Sequence, residues 1–127
     1  MSEDRQTRRT IVRHEVTSAY LAEGRRTLRL YLPPGYREDL EYPVVYCQDG
    51  EDFFNFGRIA TISHALILER NWEPFVIVGV DVDKKVRTSE YMPGGERHEA
   101  YVRFFVDELV PFVEARTSVA RTPERRL

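Results

Sequence analysis

The side chains that could do chemistry in this 127-residue sequence are few and far apart. There are three histidines, His14, His64 and His98, and one cysteine, Cys47. A working nucleophile needs a base within hydrogen-bond reach and a third group to orient that base. Ser63 and His64 are adjacent, but they fall in a stretch with helical spacing, where neighbours point in different directions, so they are not expected to form a dyad. His14 lies in an alternating segment and His98 opens a helical one, and neither has an acid and a nucleophile at a workable spacing. Cys47 sits inside an apolar run, where cysteine acts as a small buried hydrophobe. Gly-x-Ser-x-Gly, Gly-x-x-x-x-Gly-Lys, His-Glu-x-x-His and Cys-x-x-Cys are all absent from the sequence. No metal or cofactor is expected.

Two clusters of carboxylates remain, each at the end of an apolar run. Val44 to Gln48 leads into Asp49-Gly50-Glu51-Asp52, and Val76 to Val80 leads into Asp81-Val82-Asp83. A strand that ends in a glycine turn before a helix is where open α/β sheets place ligands, because backbone N–H groups there face the crevice at the strands' carboxyl ends. The plain alternative is a solvated acidic turn, whose carboxylates suit the positive end of the following helix.

The elements that must position these groups follow from periodicity. Thr10 to Ser18 alternates, with Val12, His14 and Val16 on one face, and Thr27 to Leu32 alternates with Leu28, Leu30 and Leu32 opposite Thr27, Arg29 and Tyr31. The two read as an antiparallel pair with one wet face, turning at Gly24. Pro33-Pro34-Gly35-Tyr36 stops the second strand. Pro43 opens the strand ending at Gln48, and Gly57 to Arg70 reads as a helix with Ile59, Ile62 and Leu66 on its apolar stripe, closed by Asn71 and Pro74. Phe75 to Val80 is continuously apolar, the pattern of a strand buried on both faces. A polar loop from Asp81 to Arg97 is long enough to line a site. His98 to Arg116 is the strongest helix, with Tyr101, Phe104, Phe105, Leu109, Phe112 and Val113 on one stripe and Pro111 expected to bend its last turns. Arg125-Arg126-Leu127 reads as the start of a further strand.

Composition sets the bounds. With 42% hydrophobic and 31% charged residues the chain is that of a soluble globular protein. Residues 1–9 read as a flexible N-terminus without a signal peptide's apolar core, and residues 10–127 as one domain. The net charge of −2 gives no electrostatic case for nucleic acid or a membrane surface. No run approaches the roughly 20 apolar residues of a membrane span. The expected address is the cytoplasm.

From Thr27 to Leu127 a succession of motifs carries a resemblance. Leu30-Tyr31-Leu32-Pro33-Pro34-Gly35-Tyr36, then Tyr42-Pro43-Val44-Val45-Tyr46 leading to Gln48-Asp49-Gly50-Glu51, resembles the front half of the putative-esterase family of α/β hydrolases, the group of enterochelin esterases, feruloyl esterases and S-formylglutathione hydrolase. Arg87 to Pro93 resembles that family's Arg-x-x-Glu-Tyr-x-Pro loop, and Phe104 to Glu114 its Phe-x-x-x-Glu-Leu-x-Pro helix. The resemblance implies an α/β-hydrolase-like three-layer fold, N-terminal part only, with an antiparallel lead-in hairpin followed by parallel strands and crossover helices. It implies a serine carboxylic-ester hydrolase acting on a small-molecule ester. The nucleophile, acid and histidine of its triad are expected after Leu127, which leaves this chain by itself without a catalytic residue.

What the resemblance leaves on this chain is the oxyanion side, at Gly50, Glu51 and Asp52. The donor is expected to be the backbone N–H of Glu51, with Gly50 letting the substrate approach. Arg87, Glu90 and Tyr91 are expected on a loop lining the site. In this family the third strand lies between the fourth and the fifth, so the strand of Val44 to Gln48 would be an open edge here, a seat for homodimerisation or other self-association. Two other readings stand beside the esterase. One is a hydrolase-like binding module without chemistry. The other rests on Asp81-x-Asp83, which resembles the strand end of haloacid-dehalogenase-type phosphatases, where paired carboxylates hold Mg²⁺ and attack a phosphoryl group.

Overall fold

The computed structural model describes residues 10–55 and 57–119. The expected flexible N-terminus and the strand start at Arg125 to Leu127 lie outside the described residues. Four strands form one sheet: β1 (Thr10–Thr17), β2 (Arg25–Leu32), β3 (Val44–Cys47) and β4 (Val76–Val80), in the order β1-β2-β4-β3. β2 pairs antiparallel with both β1 and β4, whereas β3 runs parallel to β4. Helices α1 (Gly50–Asn55) and α2 (Ile59–Arg70) connect β3 to β4. After β4 come α3 (Arg87–Tyr91) and a rod made of α4 (His98–Arg103), a π-helical turn at Phe104–Leu109, and α5 (Val110–Arg116). The architecture is mixed α/β.

The two faces of the sheet follow the period of two along each strand. Leu28, Leu30, Val44, Val76, Val78 and Val80 pack against Tyr101, Phe104, Leu109 and Val113 of the rod. On the opposite face Tyr31 and Ile77 pack against Ala60 and Ile67 of α2. All five residues of β4 are buried, as its unbroken apolar run requires of a strand covered on both sides. Full burial of side chains such as Phe104 and Leu109 stabilises by about 1.5–3 kcal/mol each relative to leaving them exposed. Among the described residues β3 pairs in the sheet with β4 alone, which makes it an edge. At its foot, Tyr42 makes an isolated parallel bridge with Val119.

The turn between β1 and β2 pivots at Gly24, with φ of 77° and its N–H donating to Leu21 O at 3.1 Å, as the alternation anticipates. Asn71 closes α2 in the left-handed conformation, its N–H returning to Leu66 O. Four expectations change. The wet face survives on β1 but not on β2, because β2 is interior and α2 covers Tyr31, which is 0% exposed and bonded through its hydroxyl to His64 Nδ1 at 3.0 Å. The helix anticipated from Gly57 is preceded by α1, so Gly50 to Asn55 is helical rather than a simple turn.

The stripe of Ile59, Ile62 and Leu66 is the inward face of α2 only in part, with Ile59 packed on the core beside Tyr31 and Ile77. Ala60, Ser63 and Ile67 face the sheet and Ile62 is 55% exposed. Apolar residues surround this helix, so spacing alone selects no face. Finally, Pro111 acts through the π-helical turn just before it. There Val110 N–H reaches back to Phe105 O, five residues away. A proline ring crowds the carbonyl four residues earlier, and the wider turn supplies the room. Among the described residues no helix is long and apolar enough to cross a membrane.

Candidate functional site

The candidate site lies at the carboxyl ends of β3 and β4. Asp49, just past β3, has a φ of 52°, and its carbonyl accepts the Phe53 N–H at 3.1 Å, which starts α1. The left-handed region is disfavoured for most residues but tolerated by Asp and Asn. The N–H groups of Gly50, Glu51 and Asp52 therefore sit in a first helical turn, where no intrahelical acceptor reaches them. Glu51 is exposed and Asp52 half-buried, with both carboxylates at the positive end of the helix.

Gly50 is not at positive φ, so the turn is made by Asp49. A Cβ on Gly50 would lie 2.5 Å from the carbonyl carbon of Gly79 and 2.8 Å from the nitrogen of Val80. Its missing side chain faces β4 and lets α1 sit on that strand.

Asp49 is held by α3. Arg87 grips its carboxylate with two bonds, Nη2 to Oδ2 at 2.8 Å and Nε to Oδ1 at 3.2 Å, and the Tyr91 hydroxyl donates to Oδ1 at 3.3 Å. Arg87 holds the Asp49 carboxyl below the usual carboxylate range. Burial and the Asp49 charge push the Tyr91 phenol up to about 12. The segment expected as a loop is thus a short helix, on which Arg87 and Tyr91, four residues apart, share a face.

Glu90 turns the other way. It is 1% exposed and meets Arg26 in a two-pronged ion pair at 3.1 and 2.9 Å. Arg26 also bonds Glu23 and the carbonyl of Asp81. Burial by itself would lower the proton affinity of Arg26, but bonds to Glu90 and Glu23 outweigh it and hold the guanidinium above its ordinary range. Sequence reading missed Arg26. Its signal was available, since Arg26 shares the inward phase of Leu28 and Leu30 and an arginine there needs buried partners.

Between α3 and the rod an apolar cleft of about 400 Å³ opens beside the end of β3, lined by Gln48, Tyr91, His98, Tyr101, Phe105 and Val106 among others. The Tyr101 hydroxyl donates to Gln48 Oε1, and burial raises that phenol's pKa. His98 Nδ1 donates to the Glu90 carbonyl at 2.7 Å. Of the remaining candidates, Ser63 is buried against the sheet and His14 makes an edge contact with Phe112. Cys47 is half-buried, and burial raises its thiol pKa.

The Asp81 carboxylate is closed by Arg29, with Nε to Oδ1 at 3.1 Å and Nη2 to Oδ2 at 3.4 Å, while Asp83 accepts the Lys85 N–H at 3.1 Å. Among the described residues no group of three or more His, Cys, Asp or Glu side chains converges as a metal site would. Glu108, from the Phe-x-x-x-Glu-Leu-x-Pro stretch, ties down the β1–β2 turn. It accepts Ser18 Oγ at 2.5 Å and Ala19 N–H at 2.7 Å.

Comparison with known proteins gives a family and a fold. A family described as "Putative esterase" matches residues 18–127. Two proteins of Bacillus subtilis (strain 168), both described as uncharacterized, are similar in sequence. YjcH is 40% identical over 89 residues, covering 69% of this chain and 37% of YjcH. YbbA is 30% identical over 117 residues, covering 81% of this chain and 45% of YbbA. The chain therefore spans less than half the length of these two relatives. Among solved structures, a ferulic acid esterase superposes with a TM-score of 0.76 at 20% identity, over 94% of this chain and 49% of that one. An IroE-like serine hydrolase from Shewanella oneidensis gives 0.68 at 23% identity, over 87% of this chain and 40% of that one.

Proposed function

Since this chain belongs to the putative-esterase family, we propose that it is the N-terminal part of a serine carboxylic-ester hydrolase and contributes the oxyanion-binding turn. The nucleophile, base and acid would come from sequence beyond Leu127 in a complete polypeptide, in keeping with the greater length of the relatives. In acyl transfer the serine oxygen attacks the ester carbonyl, whose oxygen becomes an anion. Preorganised N–H donors must meet that charge as it develops. The N–H of Glu51 is the donor on this chain, in a first helical turn whose other N–H groups add positive potential.

One observation carries the reading. The turn at Gly50 and Glu51 stands at the carboxyl end of an edge strand. A fifth parallel strand added to that edge would bring its own strand-to-helix turn, the place for an exposed serine, beside Glu51. The phosphatase alternative is disfavoured by the ion pair of Asp81 with Arg29, which occupies the carboxylate it would need.

The test is made in the complete polypeptide. Glu51→Pro deletes the donor at the second position of α1, where a helix backbone accepts proline. Loss of one oxyanion donor costs about 3 kcal/mol, a factor of some hundreds in kcat. Glu51→Ala keeps the N–H and should stay near wild type. Equal losses in both variants would assign the effect to the side chain and overturn the backbone-donor reading. A complete polypeptide without any Gly-x-Ser-x-Gly would favour the binding module.

A further inference from the structure

We propose that Arg87 and Tyr91 are positioning residues that act through Asp49 to fix the direction of the Glu51 N–H. The proposal rests on the oxyanion reading above and assigns the machinery that holds that turn. Asp49 is the only residue between Gln48 and the first residue of α1, and its φ of 52° sets the direction in which α1 leaves the sheet. Aspartate tolerates that conformation better than most residues, and here its surroundings hold it there. Here the carbonyl is held by Phe53 N–H and the carboxylate by three donors from α3.

The holder is itself held. Glu90, between Arg87 and Tyr91, is bonded twice to Arg26, and Arg26 reaches the Asp81 carbonyl at 3.3 Å, at the end of β4. A chain of direct bonds therefore runs from β2 through α3 to the residue before Gly50. The Arg87 guanidinium also lies over the Tyr91 ring, 5.4 Å from its centre, which limits its alternatives. The Arg87 side chain is 53% exposed. An ion pair that open to water adds little to folding stability, so the two-pronged grip matters through the orientation it imposes. That separation makes the role testable.

In the complete polypeptide Arg87→Met should lower kcat about tenfold or more, since a misplacement of about 1 Å can cost a hundredfold. KM should change little, and the melting temperature should stay within about 2 °C, as the pair's weak contribution to stability requires. Arg87→Lys should recover part of the loss, and Asp49→Asn, which keeps a residue tolerant of the left-handed region, should reproduce it. The double variant should be no worse than the poorer single one, because the residues act as one unit. Amide hydrogen exchange reads the turn independently of chemistry. The Phe53 amide, bonded to the Asp49 carbonyl, should exchange faster in Arg87→Met while β4 is unchanged. Wild-type protein without ester hydrolysis would overturn the oxyanion reading. With an active wild type, an Arg87→Met variant of unaltered kcat and unaltered exchange overturns the positioning role alone. A loss of kcat that tracks a fall in melting temperature also overturns it, by making the pair merely structural.

Discussion

Replacing Gly50 by alanine adds one methyl group at the tightest backbone contact between α1 and the sheet. The new Cβ would sit 2.5 Å from Gly79 C and 2.8 Å from both Gly79 Cα and Val80 N. Carbon atoms prefer roughly 3.5–4 Å, so α1 must move away from β4 by about an ångström. All three neighbours are backbone atoms of a fully buried strand, with no side chain to swing aside. Overpacking of this kind costs about 1–3 kcal/mol, and the rigid surroundings put the steric cost near the upper end. Alanine's better helix propensity returns up to about 1 kcal/mol. The net destabilisation is about 2 kcal/mol, or roughly 8 °C in melting temperature for a chain of this length.

Thermal unfolding followed by circular dichroism measures it, with two controls. Gly94→Ala meets no atom within 4 Å but starts from φ of +84°, so it should lose about 1 kcal/mol through conformation alone. Gly79→Ala collides first with the Phe54 ring at 2.8 Å, so adding Phe54→Leu should relieve part of its cost. The same change should do nothing for Gly50→Ala. A Gly50→Ala protein that melts at or above wild type would refute the argument that this glycine exists for packing on β4.

The face assigned to α2 is checked by a pair of substitutions. Ile62→Gln should change stability by less than about 0.5 kcal/mol, whereas Ile67→Ala, on the buried face, should cost about 2–4 kcal/mol; similar costs in urea unfolding would restore the stripe through Ile62. The Asp49 carboxyl is lowered by Arg87, so its folded pKa lies below the unfolded value of about 4. Its contribution to stability is fully present above that unfolded value and is lost as pH falls through the folded one. The stability difference between wild type and Asp49→Asn, less than about 1 kcal/mol at pH 7 for so exposed a pair, should therefore shrink below about pH 4, and a difference constant with pH would show that Arg87 does not lower this group.

Sequence alone determined the four strands, their order along the chain and the two longest helical stretches. β4 reads as a doubly covered strand from its apolar run, β1 and β2 as a hairpin from their alternation, and Gly24 and Asn71 as stops from their freedom at positive φ. These are properties of a few consecutive residues, and periodicity encodes them directly. The order of motifs also carried the family. Only the tertiary structure decided which face of α2 turns inward, because apolar residues surround that helix and the choice belongs to the sheet beneath it. Only the tertiary structure showed that Gly50 answers to Gly79. The same holds for the motif residues, whose partners are remote in sequence. Arg87 meets Asp49 across 38 residues, Glu90 meets Arg26 across 64, and Glu108 meets Ser18 across 90. A charged side chain carries no local signature of its partner, since the same carboxylate is stable in water, at a helix end or opposite a buried arginine. Its environment is fixed only once hydrophobic burial has brought the strands and helices together.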